Sequence, residues 1–254
     1  MRVFSVSRMP PTRRFWHDRA SWGGRPVATF VLDRPDHGNR LTNPMIAELT
    51  RDLSTAASNR EVALIVLKGA SNDFCLGRDP RGDAREGLSA YEARTRIHDV
   101  ILNAYQALRT ARVPTLAVVS GRAYGFGAAL ASACDVVIAS EEASFALPEI
   151  ELGFAPTLAM SALLGRIPDK SLAFIALDGQ PFSSARALEL GVVSVVLPKN
   201  GFDARAIEYI DRMARRPLPA LETLKLFMRE GKGLGPATLA TFASSLLSLA
   251  HTAK

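Results

Sequence analysis

Two acids, Glu149 and Glu151, stand in the segment Pro148-Glu149-Ile150-Glu151, some twenty residues after a glycine turn at Gly121, Gly125 and Gly127. A carboxylate in a loop is the right kind of group for general acid or base work. The glycines leave out Cβ where backbone must turn or approach a ligand closely. They are followed by Ala128-Ala129-Leu130-Ala131-Ser132-Ala133, a run of good helix formers with little bulk. A helix that opens just after such a turn aims free N–H groups, and the positive end of its dipole, at whatever lies there. That suits an anion, or an oxygen that becomes one during a reaction. From these residues alone, a glycine turn in an ordinary α/β protein fits as well. Alternation along an extended segment would set Glu149 and Glu151 on the same side, while Glu141 and Glu142 read as an exposed turn. The four histidines, His17, His37, His98 and His251, form no Ser/His/Asp or metal-ligand pattern, and Cys75 and Cys134 have no metal-type spacing.

The elements that must position these groups are legible around them. Thr115–Val119 and Val136–Ala139 read as strands on either side of the small-residue helix. Val27–Leu32 reads as another strand, followed by a turn cluster from Asp33 to Asn39. Asn43-Pro44 starts a helix, with Asn43 as N-cap and Met45, Leu49, Leu53 and Ala56 on one face. Ala63–Leu67 is a continuous apolar run, as a strand buried on both faces requires. After the polar stretch at 80–87, Ser89 can cap a helix reaching about Ala111, with Ile97, Val100, Ile101, Ala104 and Leu108 at helical spacing. His98 falls one place off that stripe. Ser184 reads as a later N-cap. Residues 202–254 look helical throughout, punctuated by Pro217 and Pro219.

The chain has 254 residues, 48% of them hydrophobic and 22% charged, which describes a globular protein with a sizeable core. No apolar run reaches the roughly 18 residues needed to span a bilayer. Two cysteines make no disulfide framework and read as buried free thiols in a reducing compartment. The net charge of +6 is concentrated in residues 1–26, where six arginines face one acid. This basic arm reads as a solvated tail. Nucleic-acid binding would fit its charge, but no recognition motif accompanies it. The expected location is the cytoplasm, with the mitochondrial matrix as the alternative should the Arg-rich start be a targeting segment.

The wording of several segments goes further. G-x-A-x-G-x-G-x-x-L-A-x-x-C-D-x-x-I-A-S at Gly121–Ser140, then A-x-F-x-x-P-E-I-x-L-G-x-x-P at Ala143–Pro156, resembles the signature of the crotonase (enoyl-CoA hydratase/isomerase) superfamily. L-D-R-P-x-x-x-N-x-L at Leu32–Leu41 and F-C-L-G-R-D at Phe74–Asp79 are similar to two further motifs of that family. The resemblance, over roughly residues 26 to 250, implies an α/β, crotonase-like spiral of ββα units with a C-terminal helical trimerisation region. The domains would be a basic arm at 1–25, the spiral core at 26–200 and an oligomerisation region at 201–254, assembling as a homotrimer or a hexamer.

The same resemblance places the two oxyanion-hole amides on Arg78 and Phe126. It puts Arg40, Leu41, Cys75, Leu76, Gly77 and Gly125 along the coenzyme A portion of an acyl-CoA thioester substrate. No separate cofactor, metal or membrane partner is implied. Hydratases of the family use two glutamates. One of those positions is Glu149 here, but the other, twenty residues earlier, is Ala129. Glu151 aligns with a carboxylate used by dienoyl-CoA isomerases of the family. The family's glycine pair after the proline is also missing, since Pro156 is followed by Thr157-Leu158. The expected activity is therefore an enoyl-CoA hydratase/isomerase type, with one-carboxylate isomerisation favoured over hydration. The alternatives are acyl-CoA hydrolysis or dehalogenation, or an inactive acyl-CoA-binding or partner-binding member.

Overall fold

The computed structural model describes residues 18–22, 25–81 and 87–252. The arginine-rich start up to residue 17 and most of the polar stretch at 80–87 lie outside the described residues. In chain order the elements begin with β1 (Asp18–Trp22), β2 (Arg25–Leu32), α1 (Asn43–Ser58), β3 (Leu64–Gly69), α2 (Ala90–Ala93) and α3 (Asp99–Thr110). Next come β4 (Thr115–Val119), β5 (Arg122–Tyr124), α4 (Phe126–Ala133), β6 (Val136–Ser140), β7 (Ser144–Ala146) and α5 (Thr157–Leu163). The rest are α6 (Asp169–Asp178), β8 (Phe182–Ser183), α7 (Ser184–Glu189), β9 (Val195–Leu197), α8 (Phe202–Ala214), α9 (Leu218–Glu230) and α10 (Pro236–Thr252).

The main sheet has the order β1-β2-β3-β4-β6-β9, and all of its pairs are parallel except β1 with β2. A second sheet, β5-β7-β8, joins the short strands that follow β4 and β6 to β8, which comes after α6. Parallel strands covered on both faces should be apolar throughout, and every residue of β4 is buried. Successive side chains then go to opposite faces. Phe30, Ile65, Leu67, Ala117 and Val119 pack with α1, α3 and α4. Val27, Leu64, Val66, Leu116, Val118 and Ile138 pack with α8 and α9 instead.

Several local readings shift. The edge strand β1 falls inside the segment read as a basic arm, because Asp18–Trp22 pairs antiparallel with Arg25–Thr29. The first N-cap is Thr42 rather than Asn43, with Pro44 inside the first turn. The later one is Ser183, whose hydroxyl accepts from Arg186 N–H at 3.3 Å, while Ser184 is buried and donates to Glu141 C=O at 3.0 Å. Ser89 does cap its helix, in a reciprocal capping box with Glu92. That helix widens into a π turn at Arg94–His98 before continuing as α3. The glycine turn itself contains the strand β5, paired with β7.

Candidate active site

Two loops and one helix start are locked together at the mouth of the sheet. Asn39 adopts φ 54°, a left-handed conformation that Asn tolerates better than most residues. Its side chain accepts from Arg34 N–H at 2.8 Å and donates to Asp73 C=O at 2.7 Å. The 34–41 loop is thereby stitched to the 73–79 loop. Leu76 N–H donates to Gly38 C=O at 2.9 Å, Leu41 N–H to Gly77 C=O at 3.3 Å, and Asp79 N–H to Leu41 C=O at 2.8 Å. Asp79 is buried against Arg81 at 2.8 Å and Arg34 at 3.2 Å. Those guanidiniums, Arg81 foremost, hold its carboxyl well below the usual range. The Leu41–Arg78 bridge takes its hydrogen bonds from Gly77 and Asp79, on either side of Arg78. In such a ladder the N–H of the residue between them points to the opposite side.

The helix start meets this loop directly. Cys75 C=O accepts from Tyr124 N–H at 2.9 Å. Gly127 then lies so close that a Cβ there would sit 2.0 Å from the Cys75 carbonyl oxygen. Only glycine allows that approach. Gly125, at φ 53° and ψ −119°, turns the chain into α4. Phe126 follows as the first helical residue, whose N–H has no acceptor within the helix. The two amides read as oxyanion donors therefore stand on adjoining segments, one of them at a helix N-terminus.

The carboxylate arrives from β7. Gly125 N–H donates to Ala146 C=O at 2.8 Å, which draws the Leu147–Glu149 chain over the turn. Glu149 Oε1 lies 2.9 Å from where a Cβ on Gly125 would be, so the carboxylate rests on the start of α4. Its Oε2 is buried without a hydrogen-bond partner. Burial pushes the Glu149 carboxyl up from its ordinary value, against a smaller opposing effect of its own backbone. A carboxylate stripped of water in this way is a stronger base than a solvated one.

Glu151 is placed apart from it. Pro148–Leu152 is a 3-10 helix rather than an extended segment, and with three residues per turn Glu149 and Glu151 do not share a side. Glu151 is exposed and accepts from Gln180 Nε2 at 3.0 Å. Arg40 is exposed, yet close enough for its charge to act on the Cys75 thiol. Leu41 and Cys75 turn their side chains into the core, so only their backbones can meet a ligand. Burial pushes the Cys75 thiol up to about 12, which makes it a poor nucleophile. Leu76 is half-buried against Gly38, and Gly77 is buried at φ 113°. Ala129 is fully buried in α4.

One neighbour escaped the sequence reading. Tyr105 on α3 is buried and stacks on Phe126, ring centroids 5.7 Å apart. Burial, then the Glu149 carboxylate, then Cys75, push its phenol well above its ordinary value. Its signal was available, because Tyr105 lies four residues after Ile101 and so belongs to the same helical stripe. Among the described residues no group of three His, Cys, Asp or Glu side chains could hold a metal ion, and no helix is long and apolar enough to cross a membrane.

Comparison with known proteins gives the family. The family model described as enoyl-CoA hydratase/isomerase matches residues 24–247. The 2,3-dehydroadipyl-CoA hydratase of Escherichia coli is 32% identical over 207 residues, covering 81% of this chain and 79% of that protein. A probable enoyl-CoA hydratase of Rhizobium meliloti is 34% identical over 195 residues, covering 76% and 74%. The solved structure of a putative enoyl-CoA hydratase from Streptomyces coelicolor has the same fold, with TM-score 0.86 and 24% identity over 98% of this chain and 90% of that one. The chain belongs to the enoyl-CoA hydratase/isomerase family, with the crotonase fold, and is an enzyme of that family.

Proposed function

We propose that the chain moves a double bond within an enoyl-CoA thioester, with Glu149 as the only carboxylate working on the substrate. The reading is carried by one observation. Glu149 is a half-buried carboxylate of raised basicity over the start of α4, while position 129, where the family resemblance calls for a second acid, is a fully buried alanine.

The thioester oxygen would be received by the amides of Phe126 and Arg78. Removing a proton from the carbon next to the thioester, or from its vinylogous position, sends electron density to that oxygen. Donors fixed beforehand gain strength as the charge grows, and each contributes about 3 kcal/mol in comparable holes. Glu149 takes the proton from one carbon and returns it to another on the same face, ending as it began. Hydration asks for activation of water and delivery of a proton at once, which one carboxylate would have to share through a single water. The Tyr105 phenol does not replace the missing acid, because its surroundings make it harder to ionise. Distant contacts to coenzyme A, including the Arg40 charge at the loop, would position the acyl group.

The hydratase names of the relatives favour a second reading, in which a water held at Glu149 adds across the double bond. Parallel assays decide between them. Isomerisation of a 3-enoyl-CoA should outpace hydration of the 2-enoyl-CoA. Glu149→Gln should lower isomerisation by about 100- to 10,000-fold, the usual worth of a positioned base. Robust hydration by the unaltered protein would refute the one-carboxylate reading. Loss in Glu151→Gln with activity kept in Glu149→Gln would move the base to Glu151. A homotrimer, or a hexamer of two, fits the exposed Leu224 on α9 and Leu247 and Leu249 on α10.

A further inference from the structure

Among the described residues, a second cleft lies away from Glu149. It encloses about 860 Å3 at the other end of α4, between that helix, α3, the loop after α5, and α9. An eight-residue helix is about 12 Å long, so the two places are separated by that helix. The volume is within the range of small-molecule sites, ~300–1,000 Å3.

The charges in the cleft do not balance. Arg109, Arg166, Lys225, Arg229 and Lys232 line it, against Asp135 and Glu230. Glu230 is engaged by Arg229 at 2.6 Å. Asp135 is engaged by Lys225 Nζ at 2.6 Å and by Thr115 N–H and Oγ1 at 2.8 and 3.0 Å. Arg109, Arg166 and Lys232 remain. Their close partners are main-chain carbonyls, those of Ala162 at 3.2 Å, Cys134 at 2.7 Å and Gly165 at 2.7 Å. Arg166 reaches the occupied Asp135 carboxylate only at 3.9 Å. The three cations act on one another. Burial first, then Arg166, lowers the Arg109 guanidinium from its ordinary value, and burial followed by Arg166 and Arg109 lowers Lys232. Like charges gathered in a partly desolvated cleft, near only the Asp135 carboxylate that Lys225 already holds, oppose folding unless something anionic joins them.

We propose that this cleft binds a multiply charged oxyanion, a phosphate or diphosphate group, held by Arg109, Arg166 and Lys232 at a site separate from the acyl-CoA site. The two guanidiniums supply paired donors for phosphate oxygens and the ammonium a compact charge. The backbone carbonyls already fix the three side chains in place, so little rotamer entropy is left to lose on binding.

Calorimetric titration of the whole protein with inorganic diphosphate, and with phosphate, tests this. Diphosphate should bind with measurable heat and raise the melting temperature. Coenzyme A at saturation should leave the heat unchanged. Lys232→Gln, at an exposed position, should weaken binding at least tenfold, and Arg109→Gln should do the same, with acyl-CoA turnover kept in both. No binding by the unaltered protein, displacement by coenzyme A, or undiminished binding in Lys232→Gln would each overturn the proposal. So would an oligomer that dissociates in Lys232→Glu while diphosphate has no effect, since the cleft would then receive an acidic side chain of a second copy.

Discussion

Gly127→Ala is the sharpest perturbation of the amide pair, because it leaves both amides, the carboxylate and the pocket lining chemically unchanged. The added methyl would lie 2.0 Å from Cys75 C=O oxygen and 2.8 Å from the Cys75 carbonyl carbon and Cβ. Ordinary carbon-to-oxygen contact begins near 3.3 Å, so α4 and the Cys75–Arg78 segment must part by about 1.3 Å. Both are backbone, and neither can swing aside as a side-chain end would. Parting them separates the amide of Phe126 from that of Arg78. A misplacement of ~1 Å at a reacting centre costs on the order of 100-fold. We expect kcat to fall by that amount for the preferred enoyl-CoA, with KM changed much less, because the lost interaction is strongest in the transition state. Overpacking should also cost about 1–3 kcal/mol of stability, so turnover is measured well below the melting point and circular dichroism confirms folding. Gly235→Ala is the control, since a Cβ there meets nothing within 4 Å. A folded Gly127→Ala enzyme whose kcat stays within about threefold, under roughly 0.7 kcal/mol of barrier, would refute the placement of the hole.

Three further outcomes follow from burial. Because desolvation raises the Glu149 carboxyl, the base is lost as pH falls through a value above the ordinary 4.5, and the acid limb of kcat should lie above it; a limb at or below 4.5 would mean the working carboxylate is solvated. In the fold, a raised carboxyl opposes folding once pH exceeds its unfolded value, so Glu149→Gln should melt no lower than the parent at neutral pH, with the difference closing as pH falls below 4.5; calorimetric melts across pH check the sign. Lys225→Met should cost about 3–5 kcal/mol in denaturant unfolding, because it strands the Asp135 carboxylate, whose side chain is only 9% exposed, and adding Asp135→Asn should recover part of that loss. A Lys225→Met penalty under ~1 kcal/mol would show the pair to be solvated.

The sheet was legible because its strands carry unmistakable patterns. Val27–Leu32, Ala63–Leu67 and Thr115–Val119 are apolar on both faces, as β2, β3 and β4 require. The helix α4 was legible from its small residues, and Glu149 from the wording around it. What was not legible depends on contacts between segments distant in sequence. The 3-10 turn at Pro148–Leu152 comes from Pro148 and from Gly153 in the left-handed region at its end, and local alternation missed both. The strand β5 exists because β7 pairs with it on one side and the Cys75 segment bridges it on the other. Tyr105 gains its significance from the ring of Phe126 and the charge of Glu149, 21 and 44 residues away in the chain. The basic cleft is spread over Arg109, Arg166 and Lys232, which no sequence window brings together.

These contacts explain why α4, apart from Phe126 and Leu130, is built from residues with almost no side chain. All eight, Phe126 to Ala133, are buried. At the N-terminal end Gly127 rests on the Cys75 carbonyl, and at the C-terminal end Arg166 donates to Cys134 C=O while Asp135 joins Thr115 on β4 to Lys225 on α9. A helix pinned at both ends cannot slide along its axis, and small side chains allow its neighbours to approach closely enough to pin it. The amide at its start is therefore positioned by contacts at both ends, one of them made by the C-terminal helices. This links two results that would otherwise be separate. If the Lys225–Asp135 pair fixes the far end, Lys225→Met should lower kcat as well as stability, even at temperatures where the protein is fully folded. Gly127→Ala and Lys225→Met combined should then lose less activity than the sum of their separate free-energy losses, since both release the same helix. Strict additivity in that cycle, with Lys225→Met leaving kcat untouched, would mean that the N-terminal contact alone positions the amide.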